Sequence, residues 1–197
     1  MIGTFRPALI LVGLLTLLSG VLMPLAFTGL ADLVFPYQAH GSLMRKDGKI
    51  LGSVLIGQNF IAAGYFHSRP SATTEPDPKD PTKTIPVPYA ADNSAGSNLA
   101  PTAKALIARV KNDLPALGPA PVPADAVTTS GSGLDPEISR AYAERQISRV
   151  AAARHLPERV VQDLVNRFVK TPALGFIGEE RVNVLLLNDA LDQMAKP

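Results

Sequence analysis

The hydrophobic pattern opens on one long apolar run. From Pro7 to Ala31, PALILVGLLTLLSGVLMPLAFTGLA carries no charged residue. As a helix this run spans roughly 37 Å at ~1.5 Å per residue, against a hydrocarbon core of about 30 Å. A cleaved leader has an apolar region of only about 7–15 residues. Residues 8–30 are therefore expected to be a retained transmembrane helix, with residues 1–7 as a short flank. Pro24 lies near its C-terminal end, where neighbouring helices can satisfy the carbonyl it frees.

After residue 31 the pattern becomes mixed. SLMRKDGKILGSVLIG (42–57) predicts a β-hairpin, because Asp47-Gly48 suits a turn with positive φ at both central positions. Leu43, Ile50, Val54, Leu55 and Ile56 are its strand formers, and Gly52 and Gly57 mark a bulge or a close approach. In NFIAAGYFHSRPS (59–71), Phe60, Ile61, Tyr65 and Phe66 are expected to pack. The stretch 69–98 has prolines at 70, 76, 78, 81, 86 and 88, which exclude a long helix or a central strand and predict a long surface loop. Helical spacing returns at 100–114, with Pro101 in the first turn and Ala103, Leu106, Ile107, Val110 and Leu114 on one face.

A second proline spacer (115–125) leads to AVTT (126–129), which reads as a short strand. The next helix is expected to start at Asp135 as N-cap, with Pro136 and Glu137 in the first turn, and to bury Ala143, Ile147, Val150 and Ala151. A further helix over 156–169 starts at Pro157-Glu158 and buries Val161, Leu164, Val165 and Phe168. RVNVLLL (181–187) reads as a buried strand and 188–194 as a short terminal helix. The fold class is a single N-terminal transmembrane α-helix followed by a mixed α/β soluble domain.

Composition narrows the chemistry. There is no cysteine, which excludes a disulfide framework, a thiolate metal site and a Cys nucleophile. The net charge of +2, without a basic run, gives no footprint for nucleic acid. Next to the apolar run, Arg6 precedes and Asp32 follows, which favours the amino terminus in the cytoplasm and residues 31–197 outside. Arg45, Lys46 and Lys49 blur that count. In the proline-rich stretch, Glu75, Asp77 and Asp80 are weighed as a cation site and read as a solvated loop.

TTSGSGLDPEIS (128–139) raises the question of a phosphate cradle. A phosphate loop needs a Lys and a following Ser or Thr. Here Asp135 brings negative charge and Pro136 removes a donor. Ser130 and Ser132 lack the G-x-S-x-G frame of a nucleophile elbow, and His155 reads as a helix-end residue. Arg140, Arg145, Arg149 and Arg154 read as solvated residues paired with Glu137 and Glu144, and Gln146 as packed or surface-exposed.

Six ordered blocks, LIGQNF, YFHSRPSAT, AGSNLAP, VTTSGSGLDPEIS, QISRVAAAR and GEERVNVLLLN, run over nearly the whole chain. Together they strongly resemble the C subunits of bacterial Kdp potassium-importing P-type ATPases. The resemblance implies a non-catalytic subunit in the inner (plasma) membrane that stabilises the complex near the outer potassium entrance. It implies three protein partners beside the bilayer: a channel-like potassium-binding subunit, a P-type pump subunit and a small single-helix subunit. ATP, Mg and K would belong to those partners, with no cofactor or catalytic residue of the chain's own. Interaction and structural roles are expected in the matched blocks, at Gln58, Tyr65, Phe66, Arg69, Pro70, Ser71, Ser97, Asn98, Ser130, Gly131, Ser132, Gly133, Asp135, Gln146 and Arg149.

A nucleotide-helper role, with Gln146 as its residue, is the family alternative. A membrane-anchored solute-binding or hydrolase domain is the rival from another class. The chain departs from the family pattern in a longer loop at 72–92, in Ala95-Gly96 for a double glycine, and in Glu180 for a proline.

Overall fold

A computed structural model describes residues 2–194. It divides into two compact units, one ending at Ser53 and one beginning at Val54. The first unit is dominated by an apolar helical stretch, Gly3–Val34, of 32 residues with none of its most apolar window buried. Helix α1 (Ile2–Leu17) runs into a π turn (Leu18–Leu22) and then α2 (Met23–Val34). The π turn sits immediately before Pro24 and answers it. Pro24 has no N–H for the helical ladder, and the Met23 N–H reaches back to the Leu18 carbonyl in the wider spacing. Ser19, a polar residue in this stretch, donates to the Leu15 carbonyl at 2.6 Å.

A short helix α3 (Pro36–Ala39) follows, then the predicted hairpin. Strands β1 (Leu43–Lys46) and β2 (Lys49–Ser53) pair antiparallel, and Asp47 and Gly48 both take positive φ, +51° and +76°. The register slips between Met44 and Arg45, so Leu51 is a bulge beside Gly52. The hairpin is shorter than expected: β2 stops at Ser53 and Val54–Ile56 form a turn.

The second unit is mixed helix and strand. Its proline-rich stretch is not the expected loop throughout, because β3 (Thr74–Asp77) and β4 (Asp80–Pro86) pair as an exposed antiparallel hairpin. Prolines are tolerated there because each strand of a two-stranded ribbon has an outer edge that needs no donor. Asp77 accepts the Lys79 N–H at 2.8 Å in the turn, and Asp80 pairs with Lys83 at 3.0 Å. No acidic metal cluster forms among the described residues.

Helix α4 begins later than expected, at Lys104–Leu117, with Pro101 in a preceding turn and Pro115 in its last turn. None of its residues is fully buried, so the expected core face is only a half-buried one. The AVTT segment is not a strand. Ala124–Ala126 form a 3-10 turn whose Asp125 carboxylate receives the Ser139 N–H at 2.6 Å and hydroxyl at 3.0 Å.

The helix expected with Asp135 as its N-cap begins four residues later, with Ser139 as the cap. Strand β5 (Glu137–Ser139) comes first, and α5 (Arg140–Arg154) is capped by Ser139, whose hydroxyl accepts the Tyr142 N–H. Asp135 instead accepts the Glu137 N–H at 3.0 Å in a local turn. Pairing decided this: Ile138 lies opposite Val182 on a central strand. Helix α6 (Glu158–Phe168) is entered through Pro157, and β6 (Val169–Lys170), which no sequence pattern suggested, follows it.

The RVNVLLL run is also split. Strand β7 (Arg181–Asn183) ends where Asn183 accepts the Leu186 N–H and starts α7 (Val184–Met194). The sheet order is β5-β7-β6, all antiparallel. Its buried face meets α5, α6 and α7 through Ile138, Ala143, Ile147, Val150, Val161, Leu164, Val165, Val182, Leu187 and Leu191. The α5 and α6 stripes lie where the 3.6-residue period puts them, with Phe168 at the margin.

Candidate functional site

Within the second unit, loops from four parts of the chain, most of them in the matched blocks, are stitched together by hydrogen bonds. Arg69 is the centre. Its guanidinium donates to Asp135 Oδ2 at 2.9 Å and to the Thr128 and Thr129 carbonyls, each at 3.3 Å. The pair is about three-quarters shielded, at 21% and 29% side-chain exposure, so it is screened less than a surface pair. The Arg69 carbonyl accepts the Tyr89 hydroxyl at 2.8 Å. Burial pushes the Tyr89 phenol up to about 12, which keeps it a neutral donor. Arg69→Gln should lower stability by about 2 kcal/mol, the scale of a charged hydrogen-bond set. Arg69→Lys should recover little of it, since an ammonium lacks the fork. An unchanged thermal midpoint for both variants would refute this reading of Arg69.

Beyond Pro70, two hydroxyls carry the junction. Ser71 Oγ donates to the Gly133 carbonyl at 2.8 Å and accepts the Tyr89 N–H at 3.1 Å. Thr73 Oγ1, fully buried, donates to the Val87 carbonyl at 2.6 Å and accepts the Ala90 N–H. Glycines let the loops meet. A Cβ on Gly57 would lie 2.6 Å from the Asp135 carbonyl oxygen, and one on Gly96 2.8 Å from that of Gly131. Gly57 thus makes the close approach that its place in the sequence suggests.

The Ser-Gly motif binds itself. Ser130 Oγ accepts the Gly133 N–H at 2.8 Å, and Ser132 Oγ accepts the Leu134 N–H at 3.1 Å. The Ser132 carbonyl receives the Ala95 N–H and the Ser94 hydroxyl. Two amides that a phosphate cradle would offer are thus already used. Gly131 is exposed with open space around it, whereas Gly133 is buried at φ +68°. Ser97 is half-buried, and Asn98 is exposed at φ +51°; both lie just beyond Gly96.

A second group of side chains grips residues 63–67. Gln146, 5% exposed, accepts the His67 N–H at 2.7 Å and donates to the His67 carbonyl at 3.1 Å. Arg149 donates to the same Gln146 oxygen and to the Ala63 carbonyl, each at 2.6 Å. Asn188 from α7 does the same for the neighbouring residue: it accepts the Phe66 N–H at 2.8 Å and donates to the Phe66 carbonyl at 2.9 Å. The Phe66 ring is fully buried. The Tyr65 ring packs against Phe60 at a 37° tilt with centroids 5.4 Å apart, lies under the Arg154 guanidinium, and its hydroxyl donates to Asp192.

Three of the four α5 arginines thus depart from the expected acidic pairing. Arg145 donates to the Leu117, Pro119 and Pro121 carbonyls. Arg154 bonds the Gly64 carbonyl and Asp192. Arg140 alone pairs with Glu144, at 2.8 Å, and Glu137 turns to Arg181 instead. Gln58 contributes its carbonyl, which accepts the Ser68 hydroxyl at 3.2 Å.

Chemically, this arrangement holds loops. His67 is kept below its ordinary pKa, by burial first and by Arg149 second, so it is neutral at pH 7. His155 takes the left-handed helix-end position, φ +56°, its N–H on terminal carbonyls. An open depression of about 410 Å³ adjoins the junction, lined by Phe60, Pro70, Tyr89 and Tyr142, with Arg69 already committed to Asp135. Sequence reasoning missed Asn188, Thr73 and Asp125. The signal for Asn188 was present: a polar residue in the apolar run LLLNDAL.

Comparison with known proteins agrees over the full length. The model of a family described as KdpC, K+-transporting ATPase, c chain, matches residues 5–193. The chain is 57% identical to a potassium-transporting ATPase KdpC subunit of Methylobacterium nodulans, covering 99% of both chains. It is 55% identical to the protein of that name from Bradyrhizobium diazoefficiens, again over 99% of both. It is 56% identical to the one from Rhodopseudomonas palustris strain BisB18, over 98% of both.

Proposed function

The chain belongs to the KdpC family of K+-transporting ATPase C chains, and on that premise we propose that it is a non-catalytic accessory subunit that stabilises a potassium-importing complex. Its partners are a channel-like potassium-binding subunit, a P-type pump subunit and a small single-helix subunit. ATP, Mg and K act through those partners. Residues 1–7 lie in the cytoplasm, 8–30 cross the inner membrane, and 31–197 lie outside, near the potassium entrance. The observation that carries this reading is where the polar groups go. Arg69, Ser71, Ser130, Ser132, Gln146 and Asn188 spend their hydrogen bonds on the chain's own loops. Such a domain presents a fixed surface rather than a reacting centre. The nucleotide-helper alternative loses its residue, because both ends of the Gln146 amide already hold His67.

Affinity purification through a C-terminal tag should bring down the pump and channel-like subunits. Deleting the chain should disperse them and abolish high-affinity potassium uptake. Full uptake and intact assembly in its absence would refute the proposal. The same fusion site reports sidedness: a reporter active only outside the cytoplasm should work after Pro197, and silence would reverse the topology.

A further inference from the structure

The hairpin β1–β2 presents apolar and basic side chains to solvent close to the membrane helix. Ile50 is 54% exposed and Leu51 40%. Arg45 and Lys49 are exposed as well. The register puts Arg45 directly opposite Ile50, so the two share one face of the ribbon. This hairpin belongs to the same compact unit as the helix. Its root is fastened to the turn that follows the helix. The Ser42 N–H donates to the Tyr37 carbonyl at 3.0 Å, the Tyr37 hydroxyl to the Ser42 carbonyl at 3.1 Å, and the Ser53 hydroxyl to the Gly41 carbonyl at 2.8 Å.

Length places this root. The helical stretch has 32 residues, which is ~48 Å at ~1.5 Å per residue, against about 40–45 Å for a bilayer with its headgroups. With residues 8–30 in the hydrocarbon, Val34 stands ~6 Å past it at ~1.5 Å per residue, and the helix ends at headgroup level. Phe35 and Tyr37, both exposed, follow at once, and aromatic residues of this kind collect at membrane interfaces. A hairpin arm of about five residues reaches only ~17 Å from its root. Arg45 and Ile50, on one face of the ribbon, are thereby within reach of the phosphates, while Lys49 projects from the other face; a cation beside an isoleucine is the charge and polarity an anionic interface takes up.

We propose that the hairpin β1–β2 is a headgroup-binding collar, in which Arg45 engages the phosphates of anionic phospholipids while Ile50, on the same face, seats in the interface. This rests on the reading that residues 8–30 cross the bilayer. It also gives Arg45, one of the cations that blur the topology count, a different role, since it holds lipid after the helix has been inserted.

The test uses the full chain in nanodiscs of phosphatidylcholine with and without phosphatidylglycerol. Retained lipid is read by native mass spectrometry after gentle detergent release. The wild type should enrich phosphatidylglycerol. Arg45→Gln should reduce that enrichment roughly 5-fold, at ~1 kcal/mol per cation at an anionic surface. Lys104→Gln with Lys111→Gln, on α4, should leave it unchanged. Unaltered enrichment in Arg45→Gln overturns the collar. So does loss of the pump subunit from the purified complex with lipid enrichment intact, which would make the hairpin a protein contact. Alkaline carbonate extraction separates the premise: release of the wild type from membranes overturns anchor and collar together.

Discussion

Replacing Asn188 with alanine is expected to lower the unfolding free energy by about 4 kcal/mol, from two buried backbone groups left unpaired at ~2 kcal/mol each. The Asn188 amide is the partner of both the N–H and the carbonyl of Phe66, at 2.8 and 2.9 Å, and is 1% exposed. Alanine supplies neither a donor nor an acceptor, so the Phe66 N–H and carbonyl both lose their side-chain partner in the interior. The Phe66 ring, fully buried in the core, is positioned by that backbone. Asn188→Asp is the informative companion. It keeps an acceptor for the N–H but turns a donor into a repelling oxygen, so it should not rescue. Thermal unfolding of the full chain in detergent, followed by circular dichroism, reads both. A loss below about 0.5 kcal/mol for the alanine variant, the scale of a neutral surface change, would show that the grip on Phe66 is not structural.

Gly133→Ala is expected to cost at least about 3 kcal/mol, of which ~1–2 is the left-handed backbone alone. Gly133 sits at φ +68°, and an added Cβ would run into the Ala95 carbonyl oxygen and stand 2.9 Å from Thr73 Cγ2. Neither neighbour can yield easily. Ala95 is bonded to Ser132, and Thr73 is locked between Val87 and Ala90. Gly131, two residues away in the same motif, gives the control. It has open space and an ordinary φ, so Gly131→Ala should be neutral within about 0.5 kcal/mol. Equal effects at the two positions would mean that the motif works by composition rather than by this geometry.

The parts of the fold that sequence reveals are those with a local period or a local turn. Ala143, Ile147, Val150 and Ala151 are buried as their spacing on α5 demands. Asp47-Gly48 makes its turn because both positions take positive φ. The misreadings share a cause, which is that long-range pairing overrode a local signal. DPEIS looks like a helix start, yet Glu137–Ser139 pair with β7, two helices further along the chain, and Asp135 turns to Arg69. RVNVLLL looks like one strand, yet Asn183 caps a helix in the middle of it. The prolines of 69–98 exclude a central strand and still permit a two-edged ribbon.

The site was half legible. Its blocks were found, because motifs persist in the chain. Its connections were not, because nothing local says that Arg69 meets Asp135 sixty-six residues away, or that Asn188 meets Phe66. Arginines on an amphipathic helix are usually solvated, and nothing local sets Arg145 and Arg154 apart. Here the guanidiniums of Arg145 and Arg154 reach past the helix edge, to the last carbonyl of α4 and to the Gly64 carbonyl.

The π turn at Leu18–Leu22 has a consequence for anything that lies alongside the membrane helix. One residue in an α-helix is about 100° of rotation, so an extra residue in a single turn offsets the two halves by that angle. A stripe that runs straight along α1 is carried off to another side before it reaches α2. A straight neighbouring helix can follow one half or the other, and the two ends of this helix therefore address different sectors of their surroundings.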